Sequence, residues 1–194
     1  MSTLSKGLSG YQIQLKPMQQ ADIEQVRLWR NDPEVAQHML SQDEISAEQQ
    51  QAWFNKISVD KRQQHFVIFY KDKPIGAANI KAYYQGENLE NARAIEPGLY
   101  IADERYRGNI VAFSPTLLLN DYCFEVLGVQ KLVAVVKASN VAALNYNLKL
   151  GYKVENAGDL LEISLNYADY QQHSKTLKAL LNRPVRTTKN EVRD

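Results

Sequence analysis

The sequence predicts a single mixed α/β domain built on a sheet of six or seven strands. Three observations predict it. Short runs rich in β-branched and aromatic residues alternate with segments of helical period. Two of those runs, "HFVIFY" and "PIGAANIKAYY", flank a tight turn and read as an antiparallel hairpin. From residue 94 onward the order is strand, helix, strand, helix, strand, so the unit at 94–138 should hold two parallel strands joined by a right-handed crossover.

Composition narrows the function before any motif is considered. A chain of 194 residues fits one domain with a sizeable core, and shares of 44% apolar and 23% charged residues are ordinary for a globular protein. A net charge of +1 gives no field that would favour nucleic acid or an anionic membrane, so neither is an expected partner. One cysteine, Cys123, excludes an intramolecular disulfide and fits a reducing compartment. The start, "MSTLSKGLSG", lacks the apolar stretch of a secretory signal, and no apolar run approaches the roughly 20 residues a membrane helix needs. The expected location is the cytoplasm. His38, His65 and His173 are scattered without ligand spacing, so no metal is expected.

The elements follow in order. Residues 1–9 read as a flexible tail, 10–183 as the folded domain and 184–194 as a second, basic flexible tail. "YQIQLKPM" alternates around Ile13 and Leu15 and reads as a strand. Asp22 is placed to cap a helix carrying Ile23, Val26 and Trp29, which "NDP" at 31–33 ends. Ser46 and Gln49 form a capping-box pattern for a helix over 46–58, with Trp53, Phe54 and Ile57 on its buried face. The hairpin follows, with "KDKP" as its turn. "AIEPGLYIA" is a further strand in which Pro97 bars regular pairing, arguing for a bulge at Glu96-Pro97-Gly98 or a locally open edge. A long apolar segment to about Val126 reads as a helix in which Pro115 is tolerable only in the first turn. "VQKLVAVVKAS" is a β run, and "NVAALNYNLKLG" is a helix stopped by Gly151. "YKVE" and "LLEISLNY" are two more strands, and "KTLKALLN" begins a short final helix.

The stretch "ERYRGNIVAF" joins a strand to a helix. The first amides of a helix have no internal partner and sit at the positive end of its dipole, so residues 107–112 could hold an anion, aided by Arg105 and Arg107. The same residues also suit an ordinary turn. An open strand at 96–98 would leave backbone amides free for an extended, amide-bearing ligand, and Asn140 lies at the carboxyl end of the parallel partner strand, where α/β sheets usually bind ligands.

In order along the chain stand Glu96 and Gly98; Arg107-Gly108-Asn109-Ile110-Val111-Ala112; Phe124; then Asn140, Ala143, Leu150, Gly151 and Tyr152. With this spacing, residues 94–155 resemble the acyl-CoA-binding core of the GNAT superfamily of N-acetyltransferases, and most closely its RimJ/RimL-type branch. The resemblance implies a single-domain GNAT-like α/β fold with a bulged, splayed parallel strand pair and flanking helices. It also implies acetyl-CoA as co-substrate, held by Leu99, Tyr100, Ile101, Arg105, Arg107, Gly108, Asn109, Ile110, Val111, Ala112, Asn140 and Asn147. "LWRNDPEVAQHMLSQDEISAEQQQAWF" is similar to the corresponding segment of members that acetylate nucleotide-linked amino sugars, as in the pseudaminic-acid pathway. That likeness implies Trp29, Arg30 and Asn31 as acceptor-side residues, although Trp29 also reads as core and Arg30 as an ion-pair partner.

The implied reaction is direct acetyl transfer to a primary amine of a small-molecule acceptor. Glu96 stands where related enzymes carry a base, and a backbone N–H near Leu99 or Tyr100 could polarise the thioester carbonyl. The family's proton-donating tyrosine falls at Asn147, which cannot donate a useful proton, so either Tyr146 or water takes over, or the thiolate leaves unassisted. Ile110 replaces a glycine that family members use for close approach to phosphate. The expected acceptor is a nucleotide-linked amino sugar. The alternatives are a protein N-terminus or a polyamine, both cationic, or an acyl-CoA-binding module without transfer activity. The partners expected are thus a small amine and, at most, a second copy of the chain in a homodimer.

Overall fold

A computed structural model describes residues 6–182. Its strands are β1 (Leu8–Gly10), β2 (Ile13–Pro17), β3 (Gln63–Tyr70), β4 (Lys73–Ala82), β5 (Ala94–Ile101), β6 (Lys131–Lys137), β7 (Lys153–Val154) and β8 (Leu160–Asn166). The helices are α1 (Ile23–Asn31), α2 (Pro33–Ala36), α3 (Ala47–Ile57), α4 (Ser114–Asp121), α5 (Val141–Lys149) and α6 (Tyr167–Leu181). One sheet holds all eight strands in the order β1-β2-β3-β4-β5-β6-β8-β7, antiparallel throughout except for β5 and β6.

The eighth strand is β1, which corrects the expected tail at residues 8 and 9. It pairs with β2 through a two-residue turn in which Tyr11 and Gln12 both have positive φ. Non-glycine residues rarely accept that conformation, so the sequence carries no turn signal there. The rest of the expected tails, residues 1–5 and 184–194, lies outside the described residues. The β3–β4 hairpin turns at Lys71 and Asp72, also at positive φ. Ser46 and Gln49 make the capping box of α3 as its spacing predicts. Helix α1 starts differently: Asp22 accepts from the Gln19 N–H and closes a preceding 3₁₀ turn rather than capping the helix with its side chain.

The sheet divides two apolar cores. The larger contains Leu15, Ile68, Ile80, Ile95, Leu117, Leu132 and Tyr170. The smaller contains Met18, Val26, Val67 and Ala77, with Trp29, Trp53 and Phe54 packed against it. Side chains alternate across a strand, so in β5 Ile95, Leu99 and Ile101 face the larger core and Tyr100 the smaller.

The feature that positions the site is the parallel pair. β5 meets β6 at Ala94↔Lys131 and Ile95↔Leu132 and then parts from it. β6 stays with β8 for all seven of its residues. Register between β4 and β5 runs unbroken through Glu96, Pro97 and Gly98, so the expected bulge there is corrected; the sheet's register shift lies at Ile68/Phe69 of β3. The opening is a splay between strands, not an extra residue.

The predicted long helix comes in three parts. Ile110–Phe113 is a 3₁₀ turn, α4 follows with Pro115 as its second residue, and Tyr122–Val126 widens into a π-turn. No helix among the described residues is long and apolar enough to cross a membrane.

Candidate active site

Backbone parity explains Pro97. The carbonyl of Ala94 accepts from Tyr83, next to β4, and that of Arg93 accepts from Gln130, next to β6. Even-numbered residues of β5 therefore bond toward β4 and odd-numbered ones turn toward β6. Pro97, with no N–H to offer, sits where β6 has already left, and costs no ladder bond. The N–H groups of Leu99 and Ile101 face the same gap. Ala102 returns to β4, donating to Ile75. Leu99, not Tyr100, thus offers the free amide.

Two cavities open onto this gap. One, of about 500 Å³, lies on the α4–α5 side and is lined by Arg107, Gly108, Thr116, Asn140, Tyr146 and Asn147. The other, of about 680 Å³, lies under α1 and α3 and is lined by Arg30, Trp53, His65, Asn79 and Glu96. Pro97–Tyr100, Ala134 and Val135 belong to both, as do His38, Met39 and Leu40, which roof the gap. Lys137 at the end of β6 ties that roof down, Nζ donating to the Met39 carbonyl at 2.6 Å.

On the first cavity's rim, Gly108 has φ +72°, and an added Cβ there would meet nothing within 4 Å. Glycine is needed for backbone conformation, not for space. Asn109 caps the following turn, its side chain accepting from Val111 N–H and its carbonyl from Ala112 N–H. Those two amides are therefore committed. The amides of Gly108 and Ile110 have no protein acceptor among the described residues. The Ile110 side chain is 41% exposed and turns outward, so it does not cover its own amide. Arg107 spends its guanidinium on the carbonyls of Ile101 and Ala102 and lies 3.8 Å from Glu34, fastening the turn to the end of β5. Arg105 pairs with Asp103 at 2.5 Å, stays exposed and lines neither cavity.

Asn140 caps α5 by accepting from Ala143 N–H, and Asn147 donates back to the Ala143 carbonyl. Tyr146 and Asn147 line the same cavity, although helix geometry predicts divergent directions. The Tyr146 ring stacks on Phe113 at 4.4 Å and 9°, and its hydroxyl donates to the Ala112 carbonyl and bonds Thr116 at 2.5 Å. Burial holds that hydroxyl far above the usual phenol range. This geometry anchors Tyr146 in the structure.

In the second cavity, Glu96 pairs in register with Lys81 and points to the smaller core's side. Arg93, its sequence neighbour, is taken by Glu87 at 2.6 Å. Arg30 lines the cavity beside Tyr100 and makes no hydrogen bond or ion pair among the described residues. Trp29 and Asn31 line neither cavity. Trp29 packs in the smaller core. Asn31 holds the segment that follows the roof, its amide exchanging two hydrogen bonds at 2.9 Å with Ile45. Trp53, His65 and Asn79 take the wall positions. Sequence reading missed the last two; their signal is a polar residue inside each β run, legible only once strand parity is known. Cys123 is fully buried in the larger core, and desolvation raises its thiol well above the usual range, so it is packing and not a nucleophile.

An extended arm with amide groups fits the splayed strands, whose free Leu99 and Ile101 amides supply a ladder edge, and a pyrophosphate fits the free Gly108 and Ile110 amides. Comparisons with known proteins identify the family. Residues 12–153 match the Acetyltransferase (GNAT) domain model. The spermidine N(1)-acetyltransferase of Escherichia coli K12 is 26% identical over 153 residues, covering 79% of this chain and 78% of the relative. The spermidine N-acetyltransferase of Vibrio cholerae, solved with CoA and spermine, superposes with a TM-score of 0.69 at 18% identity, over 83% of this chain and 99% of that one. The N-acetyltransferase PseH of Campylobacter jejuni superposes with a TM-score of 0.59 at 21% identity, over 80% of this chain and 99% of that one. The chain belongs to the GNAT acetyltransferase family and is an N-acetyltransferase that uses acetyl-CoA.

Proposed function

We propose that the acceptor is a small nucleotide-linked amino sugar, entering the second cavity while acetyl-CoA occupies the first. The observation that carries this is Arg30: an unpaired cation in a cavity walled by Met18, Val26, Trp53 and Tyr100. An unpaired guanidinium suits phosphate, and an aromatic wall suits a sugar ring. The likeness of residues 28–54 to amino-sugar acetyltransferases, and the fold shared with PseH, support the same reading.

Glu96 accepts the proton of the incoming ammonium, leaving a neutral amine whose lone pair adds to the thioester carbonyl at the gap. The Leu99 N–H is directed at the oxygen on which negative charge develops. As the C–N bond forms and the C–S bond breaks, the nitrogen gives up its second proton and the leaving thiolate receives it through water, since neither Asn147 nor the anchored Tyr146 supplies one. Gly108 and Ile110 amides hold the pyrophosphate, and Arg107 and Asn140 keep the two loops around it in shape.

Asp43 and Glu44, exposed at the mouth of the second cavity, favour a second reading, a polyamine acceptor like that of the spermidine acetyltransferases. Thiol release from acetyl-CoA, measured with nucleotide-linked amino sugars and with spermidine, separates the two. The amino sugar should be preferred, and Arg30→Ala should raise its KM roughly 10- to 100-fold, the worth of a charge-assisted bond, without altering the KM for acetyl-CoA. Faster turnover of spermidine that Arg30→Ala improves would overturn the nucleotide reading. Glu96→Gln should lower kcat by about 10²- to 10⁴-fold for either acceptor.

A further inference from the structure

The second cavity has a polar floor that the transfer chemistry leaves unused. His65, Asn79 and Gly98 are successive partners across β3, β4 and β5, and the first two line the cavity. His65 is held from two sides. Trp53 meets its ring edge to face, with centroids 5.1 Å apart at 87°. Its Nε2 lies 2.9 Å from Gln63 Oε1. Gln63 in turn donates its Nε2 to the Asp60 carboxylate at 2.6 Å, which fixes the end of the amide that faces His65. An amide oxygen can only accept, so His65 Nε2 carries the ring proton and Nδ1 keeps a bare lone pair. Among the described residues nothing donates to Nδ1. Desolvation keeps the ring neutral, with a pKa lowered to about 4. Beside it the Asn79 carboxamide is also uncommitted, and it occupies space that only glycine at 98 allows: a Cβ there would lie 2.7 Å from Asn79 Oδ1.

We propose that His65 Nδ1 accepts a hydrogen bond from a hydroxyl next to the amine that is acetylated, with Asn79 bonding the same substituent, so that His65 selects hydroxylated amines over their deoxy counterparts. This rests on the second cavity being the acceptor's. A ring that resists protonation this strongly is a poor base for an ammonium, a task left to Glu96. It is a good acceptor for a neutral hydroxyl. A cavity-lining lone pair left empty by a deoxy acceptor is the kind of loss that gives discrimination.

The test compares hydroxylated and deoxy members of an amine pair that the enzyme turns over, such as 1-amino-2-propanol against propylamine or a sugar against its deoxy analogue. Wild type should favour the hydroxylated member by roughly 10- to 100-fold in kcat/KM. His65→Phe should abolish that preference by slowing the hydroxylated member alone, leaving the KM for acetyl-CoA unchanged. His65→Asn, which restores an acceptor atom, should recover part of it, and Gln63→Met, which frees the ring to turn, should weaken it. A preference of wild-type size in folded His65→Phe overturns the proposal, as does an equal fall for both acceptors. Because generic amines suffice, the outcome is separate from whether a nucleotide-linked sugar is the preferred acceptor.

Discussion

Leu99→Pro isolates the backbone donor that the splayed strands expose. In most strands proline breaks a ladder bond and is not tolerated. Here position 99 has the same parity as Pro97 and faces the gap, so the substitution removes no bond to β4. What it removes is the N–H that the proposed mechanism directs at the reacting carbonyl. Loss of one such donor typically costs about 10²- to 10³-fold in kcat, or about 2.7–4 kcal/mol of transition-state stabilisation. The side chain is a second difference, because Leu99 packs against the larger core. Leu99→Ala measures that part separately; it should lower stability by about 1–2 kcal/mol for a half-buried leucine and leave kcat within about threefold. The assay is kcat from thiol release at saturating acceptor for both variants, with calorimetric acetyl-CoA affinity and a melting curve as controls. If folded Leu99→Pro keeps kcat within threefold of Leu99→Ala, the gap-facing amide is not the polarising group and the parity argument fails at this point.

Two further outcomes follow from the same geometry. Tyr146→Phe should lower Tm by about 2–4 °C, as expected for about 1 kcal/mol in a domain of this size, because Thr116 and the Ala112 carbonyl lose a partner, while kcat changes less than threefold; a drop of 10²-fold or more would return Tyr146 to the proton-donor role. His65 should also make stability depend on pH. Its folded pKa of about 4 lies below the usual value of 6.5, so between those values the unfolded chain binds the extra proton and stability falls as pH is lowered. The stabilisation is complete above about pH 6.5, and its loss by pH 4 is of order 2–3 kcal/mol. Urea melts at pH 7 and pH 4.5 should show a smaller pH effect in His65→Phe than in wild type, and equal effects would place the imidazole in water.

How much of this was legible in the sequence depended on whether the signal was local. The capping box at Ser46 and Gln49, the Gly151 stop and the strand-helix-strand order from residue 94 are written within a few residues of where they act. The proline of β5 was legible as a disturbance, but its meaning was not. Whether Pro97 causes a bulge or marks an open edge depends on which neighbour lies on which side, and that is set by Ala94 and Arg93 bonding to different strands. Arg30, Asn31 and Trp29 are consecutive and were read as one acceptor-side group. A helix turns about 100° per residue, so they separate into a cavity residue, a clamp on Ile45 and a core residue. His65 and Asn79 were invisible because their common direction exists only across the β3–β4 register. β1 was missed because three residues and a turn without glycine or asparagine carry almost no local preference.

The gap also limits the order of the chemistry. The two cavities share only Pro97–Tyr100 of β5, Ala134 and Val135 of β6, and the His38–Leu40 roof, so acceptor and donor meet across the splayed strands and nowhere else. Of those shared residues, His38 and Tyr100 carry nucleophilic side chains, and none is a cysteine, serine or lysine. Cys123 is sealed in the core. The proposed transfer is direct, with both substrates bound at once. The segment over the gap is fastened at two points: Lys137 at the end of β6 holds Met39, and Asn31 at the end of α1 holds Ile45, which follows it.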